Sequence, residues 1–179
     1  RALHSGGNSG SGGSSGPVQR VLSSALRGDF LETTHAMDEL TSADVGVHAG
    51  GASSTLGGPV CYHHVFSDSS VSIGIFVIPP GGCIPLHDHP GMTVLSKLLF
   101  GSLRVTSYDM PAAEPASGPP SVLDALRGFG GGGGGDDRRL LCAPAEVRVV
   151  SAPCAPLRLD AVAGNIHAFE ALEHTAIFD

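Results

Sequence analysis

The stretch from Gly81 to Asp109, GGCIPLHDHPGMTVLSKLLFGSLRVTSYD, constrains this chain most tightly. A Pro-Pro-Gly-Gly turn signal leads into it, and glycines bracket an apolar block. Gly81 lies six positions before His87, and Gly101 twelve after His89. In an extended strand alternate side chains share a face, so His87 and His89 point the same way while Asp88 points opposite. Two imidazoles on one face can chelate a metal ion. A bare His-x-His pair is weak evidence on spacing alone, and the wording around it carries the argument further.

That arrangement resembles the first motif of the cupin superfamily, G-x5-H-x-H-x3,4-E-x6-G. The glutamate ligand usual in that motif would fall at Thr93 or Val94, and neither can replace a carboxylate. The departure points to cupins that hold their metal by three histidines. The phrase IPLHDHPGMTVLSKLLFGSLRVTSYD is similar to the plant cysteine oxidases and the related cysteamine dioxygenases, which are iron thiol dioxygenases. The resemblance implies an all-β fold, the cupin double-stranded β-helix or jelly roll, with Fe(2+) as cofactor and O2 as co-substrate.

The whole chain bounds these expectations. Its 179 residues suit one domain, and 41% hydrophobic residues allow a core, although 26 glycines and 13 prolines imply much irregular structure. A formal net charge of -7, with Lys97 the only lysine, argues against a general grip on nucleic acid. No stretch approaches the roughly twenty apolar residues that span a bilayer, so no membrane partner is expected. We read a soluble, monomeric protein of the cytoplasm or nucleus. The chain begins with Arg1, so an upstream targeting segment remains open. Cys61, Cys83, Cys142 and Cys154 lack paired zinc spacing and read as free thiols in a reducing compartment.

Residues 1–16 are almost entirely Gly and Ser and read as a disordered tail, leaving residues 17–179 as the single domain. Within it, 17–46 is a helical lead-in. Pro17 suits a first turn, and Val18, Val21, Leu22 and Leu26 recur at helical spacing up to Gly28. A second helix is expected around Phe30 to Leu40, followed by a Thr-Ser-Ala-Asp turn. The Asp44 to Gly46 phrase again resembles the plant cysteine oxidases. These helices read as a cover over one end of a barrel.

Strands are expected at Val60 to Phe66, Val71 to Ile78, Leu140 to Val150 and Pro156 to Val162, separated by turn signals. Residues 110–139, with six consecutive glycines from Gly130, read as a flexible, dispensable loop insertion. His63 and His64 are adjacent, face opposite ways and read as structural. Cys83 reads as a small buried hydrophobe. Asp88 reads as structural, Thr93 and Lys97 as candidates for the barrel interior, and Tyr108 as a substrate-orienting or packing residue.

The later segment AGNIHAFEALEHTAIFD offers a third ligand. Gly164-Asn165-Ile166-His167 matches the G-x2-H core of the second cupin motif, although Ala171 stands where that motif has an asparagine. A nearly identical phrase carries the third iron ligand in the plant cysteine oxidases, and the resemblance transfers that role to His167. His174 lies seven residues on, facing the other way in a strand, and reads as packing or hydrogen bonding. Asp179, in an A-I-F-D phrase, falls where the family places an aspartate close to iron. The resemblance gives it a catalytic, substrate-positioning role. The family continues beyond this point, so the chain is expected to be truncated at its C-terminus.

Three neutral imidazoles leave iron(II) its full charge and open positions, which suits a substrate thiolate. The resemblance implies a thiol dioxygenase that converts the N-terminal cysteine of a peptide or protein to cysteine sulfinic acid. In that family the step senses oxygen and leads to N-degron degradation. The alternatives are a small aminothiol dioxygenase of the cysteamine type and a non-catalytic metal-binding cupin.

Overall fold

The computed structural model describes residues 15–50, 56, 58–108, 146–160 and 163–179. Residues 1–14 of the Gly/Ser tail, the whole 110–139 insertion and residues 140–145 are not among these, so the expectations placed there lie outside the described residues.

Two helices precede nine strands among the described residues. They are α1 (Pro17–Leu26), α2 (Phe30–Asp38), β1 (Cys61–Ser67), β2 (Ser72–Ile78), β3 (Cys83–His87), β4 (Val94–Phe100), β5 (Ser102–Tyr108), β6 (Glu146–Ser151), β7 (Leu157–Leu159), β8 (Ile166–Ala171) and β9 (Thr175–Phe178). The strands form two antiparallel sheets, one ordered β1-β2-β9-β4-β7 and the other β3-β8-β5-β6. The architecture is all-β and cupin-like, as the sequence implied.

Burial patterns show how the layers stack. In β8 buried and half-buried residues alternate, as in a sheet with one face on the core and one toward solvent. The central strands β2 and β9 are apolar on both faces, because their sheet is covered twice. One face carries Ile73, Ile75, Val77, Ala176 and Phe178, packed with Val21, Ala36, Met37 and Leu40 of the helical segment. The other carries Ile78 and Ile177, which meet Leu98, Leu103, Val105 and Phe169 in the barrel interior. Each Val, Leu, Ile, Met or Phe side chain among them, once fully buried, contributes about 1.5–3 kcal/mol.

The helices are locally specified. Pro17 occupies the first turn of α1, and Gly28, at φ 69°, provides the left-handed residue that ends it. Asp29 caps α2 by accepting from the Glu32 N–H at 3.1 Å. Ser24, fully buried, receives the Thr33 hydroxyl at 3.0 Å and joins the two helices. They lie across the outer face of the five-stranded sheet, so they do more than close one barrel end.

Two residue assignments need correction. Lys97 faces the helices, not the barrel interior. It pairs with Phe178 across β4 and β9, and its Nζ donates to Asp38 Oδ1 at 2.8 Å and to the Cys154 carbonyl at 2.6 Å. Cys83 is exposed, because alternation along β3 turns Ile84 inward toward the Phe169 cluster. The expected strands at Val60 and Val71 are present with shifted ends. Those expected at Leu140 and Pro156 appear as β6 and the short β7.

Gly101 fills a position no other residue would fit. At φ 88°, it lies so close to the start of β9 that an added Cβ would fall 2.3 Å from Thr175 Oγ1 and 2.5 Å from the His174 carbonyl. The motif glycine is thus a close-approach point between β-strands. His174 itself bonds the Ala49 carbonyl through Nδ1 at 2.6 Å and packs on Phe100, the structural role expected of it.

Candidate metal centre

The four-stranded sheet brings His87 and His167 together, and the turn that follows β3 adds His89. Each offers one ring nitrogen, and these atoms lie within 4.8 Å of one another. Ring centroids are 4.9 Å apart for His87 and His89, 4.3 Å for His87 and His167, and 5.2 Å for His89 and His167. Strand pairing explains the long-range contact, since His87 on β3 stands opposite His167 on β8.

His89 reaches the cluster by another route than strand alternation. β3 ends at His87, and His89 begins a turn in which the Met92 N–H returns to the His89 carbonyl at 3.1 Å. Pro90 and Gly91, the latter at φ 69°, occupy the central positions of that turn. Asn165 then holds the turn from the opposite strand. Its Oδ1 accepts from the His89 N–H at 3.0 Å, and its Nδ2 donates to the His89 and Asp160 carbonyls, each at 3.0 Å. The Gly164-Asn165-Ile166-His167 phrase by itself gives Asn165 no role. The available signal was an amide side chain two residues before His167.

The donor set fits a metal ion. His87 Nδ1 lies 2.8 Å from the Pro85 carbonyl and His167 Nδ1 lies 3.0 Å from the Asn165 carbonyl. A carbonyl can only accept, so both rings carry their proton on Nδ1 and present a free lone pair at Nε2. Burial pushes the His167 pKa down to about 4, so the ring is already neutral at pH 7. The pKa of His89 is also lowered, by burial first and then by the neighbouring His87. Asp88 is exposed and opposes that shift, which agrees with its position off the cluster face. No carboxylate joins the cluster among the described residues.

Asp179 lies beside the histidines on the inner face of β9. Its Oδ1 is out of solvent's reach and has no hydrogen-bond partner among the described residues, although the residue as a whole is only half-buried. Burial raises its pKa to about 6. The neighbouring Ser96 hydroxyl and then His87 moderate the rise.

A cavity of about 900 Å³ leads away from this point. His89, Asp179 and the Gly91–Leu95 segment line one part of it, and Arg27, Gly28 and Phe30 of the α1–α2 turn line another. Thr93 lies on its wall, in keeping with the expectation for that residue. The helical segment therefore contributes to the approach to the site, which the amphipathic pattern alone did not reveal. His63 and His64 are exposed on β1, with His64 bonded to Ser67. Tyr108 pairs with Ile166 at the start of β8.

The comparisons with known proteins agree with this geometry. The family model described as PCO_ADO matches residues 36–179. Plant cysteine oxidase 2 of Arabidopsis thaliana is 39% identical over 152 residues, covering 80% of this chain and 48% of that protein. Plant cysteine oxidase 1 of the same plant is 36% identical over 122 residues, covering 68% of this chain and 36% of its own length. The 2-aminoethanethiol dioxygenase of Mus musculus is 45% identical over 51 residues, 28% of this chain and 20% of that enzyme. The chain thus spans less than half the length of the curated relatives it matches.

Proposed function

Since the chain belongs to the family that unites the plant cysteine oxidases with the 2-aminoethanethiol dioxygenases, we propose that it is an iron(II) thiol dioxygenase acting on the N-terminal cysteine of a peptide or protein. The observation that carries this reading is the three-imidazole cluster, joined by no carboxylate among the described residues, beside a cavity that Asp179 also lines.

His87, His89 and His167 would hold the metal, and bound iron(II) would supply the site at which thiol sulfur and O2 meet, yielding a sulfinic acid. The chain's own residues prepare that encounter. The backbone carbonyls of Pro85 and Asn165 orient two of the rings, and Asn165 fixes the backbone of the third. Asp179, largely ionised at pH 7, presents an unpartnered acceptor oxygen suited to a substrate ammonium. The apolar Phe76 side chain, on the same sheet face as Asp179, keeps water from that space.

An N-terminal cysteine and cysteamine share a thiol two carbons from a free amine, so either satisfies the histidines and Asp179. The size of the cavity favours the peptide. At about 900 Å³ it exceeds the needs of a two-carbon aminothiol and accommodates the chain that follows the cysteine. In this reading residues 17–179 form one catalytic domain and the protein is a monomer of the cytoplasm or nucleus. Its product would mark proteins for N-degron degradation in an oxygen-sensing step.

Iron-loaded protein mixed with a Cys-initiated peptide under anaerobic conditions, then exposed to air, tests the reading. One O2 consumed per thiol lost supports it. Tight iron binding without oxygen consumption supports a metal-binding protein without this chemistry.

A further inference from the structure

The cavity has a floor built from a glycine and a tyrosine. Gly74 on β2 and Asp179 exchange both backbone hydrogen bonds, each 2.9 Å long, so their side-chain directions share one face of the sheet. That face is the barrel interior, because Phe76 and Ile177, two positions from Gly74 and Asp179, pack there. Gly74 leaves its place on the face empty, and the Tyr62 ring from β1 lies in it. A Cβ built on Gly74 would fall 2.2 Å from Tyr62 Cε2 and 2.4 Å from the Tyr62 hydroxyl oxygen.

Phe76, which pairs with Tyr62 across the two strands, backs the ring at a centroid distance of 4.9 Å. The ring is thereby held down on one side, while its hydroxyl sits next to the strand position that carries Asp179. Tyr62, His89 and Asp179 all line the one cavity.

We propose that Tyr62 is a specificity-determining residue whose hydroxyl donates to the carbonyl oxygen of the substrate's N-terminal cysteine. The inference rests on the functional reading above and deepens it. In an N-terminal cysteine the amine and the carbonyl are borne by the same carbon. With the sulfur toward the histidines and the ammonium at Asp179, the carbonyl emerges among the groups that adjoin Asp179 on the same sheet face. A phenolic O–H there finds an acceptor. Cysteamine carries only hydrogen at that carbon and gains nothing from Tyr62. The tyrosine therefore separates cysteinyl peptides from small aminothiols, because a site built to donate to a carbonyl favours the substrate that has one.

Tyr62→Phe keeps the ring and its packing on Phe76 and removes one oxygen. Gly74→Ala adds a methyl group where the ring now lies and lifts the ring from the floor without changing a polar side chain. Each variant is compared with wild type for kcat/KM on a Cys-initiated peptide and on cysteamine, with iron content and melting temperature measured in parallel. Tyr62→Phe is expected to lower kcat/KM for the peptide about tenfold, the loss of one hydrogen bond, and to leave cysteamine within about twofold. Gly74→Ala is expected to shift the ratio in the same direction. Equal losses on both substrates, or an unchanged peptide rate in Tyr62→Phe, overturn the role of Tyr62 while leaving the functional reading intact. Wild-type protein that oxidises neither substrate overturns that reading, and this inference with it.

Discussion

Asn165 grips the backbone of His89 across 76 positions of sequence, accepting from its N–H and donating to its carbonyl, each at 3.0 Å. One buried side chain thus sets the position of a cluster histidine that lies on a turn, while its own backbone carbonyl orients His167 at 3.0 Å. Strand pairing supplies His87 opposite His167, and the Asn165 amide supplies the remaining arm of the cluster.

Replacing Asn165 with Ala or Asp removes the two bonds that its Nδ2 donates and frees the His89 turn. We expect the affinity for iron(II) to fall by about 10- to 100-fold, the usual effect of losing a group that orients a metal ligand. Competition with a chelator of known affinity measures this directly. Unchanged affinity in both variants would contradict the clamp.

In the metal-free protein His167 and Asp179 make opposed contributions to the pH dependence of stability. The His167 pKa falls from 6.5 to about 4 on folding, so the stability it contributes is present above 6.5 and is lost as pH falls toward 4. The Asp179 pKa rises from 3.8 to about 6, so the native state holds a proton that the unfolded chain releases, and stability is lost as pH rises through that window. Asp179→Asn removes the second effect alone. Its urea midpoint relative to wild type should therefore rise between about pH 4 and 6. Parallel profiles for the two proteins would show that Asp179 is not raised.

Lys97 anchors α2 to the sheet. Its side chain is only 7% exposed against 58% for its partner Asp38, so the two ends of the ion pair are not equivalent. Lys97→Ala loses a buried stem and two hydrogen bonds and should cost about 2–3 kcal/mol. Asp38→Ala leaves the ammonium on the Cys154 carbonyl and exposes it little further, costing about 1 kcal/mol. Chemical denaturation ranks them, and the reverse order would contradict the assignment.

The three histidines of the cluster were legible because they stand in short, distinctive phrases, and the fold because those phrases belong to one architecture. The path by which His89 arrives was not legible, since alternation along one strand gives the right neighbours for the wrong reason. Strand β3 stops at His87, and Pro90 and Gly91 turn the chain. The faces of Cys83 and Lys97 depend on register against β8 and β9, which no local pattern contains. The approach cavity depends on where α1 and α2 dock. Tyr62 gains its place only because Gly74, on a neighbouring strand, lacks a side chain. These are long-range pairings, and composition and spacing do not encode them separately.

The central claim is oxidation of a cysteine recognised by its free amine. The most direct measurement is mass spectrometry after incubating iron-loaded protein under 18O2 with one Cys-initiated peptide, the same peptide N-acetylated, and cysteamine. The account predicts two heavy oxygens on the free-amine peptide, little change on the acetylated one and slower reaction of cysteamine. Equal oxidation of the acetylated peptide, or heavy oxygen on none of the three, would contradict it.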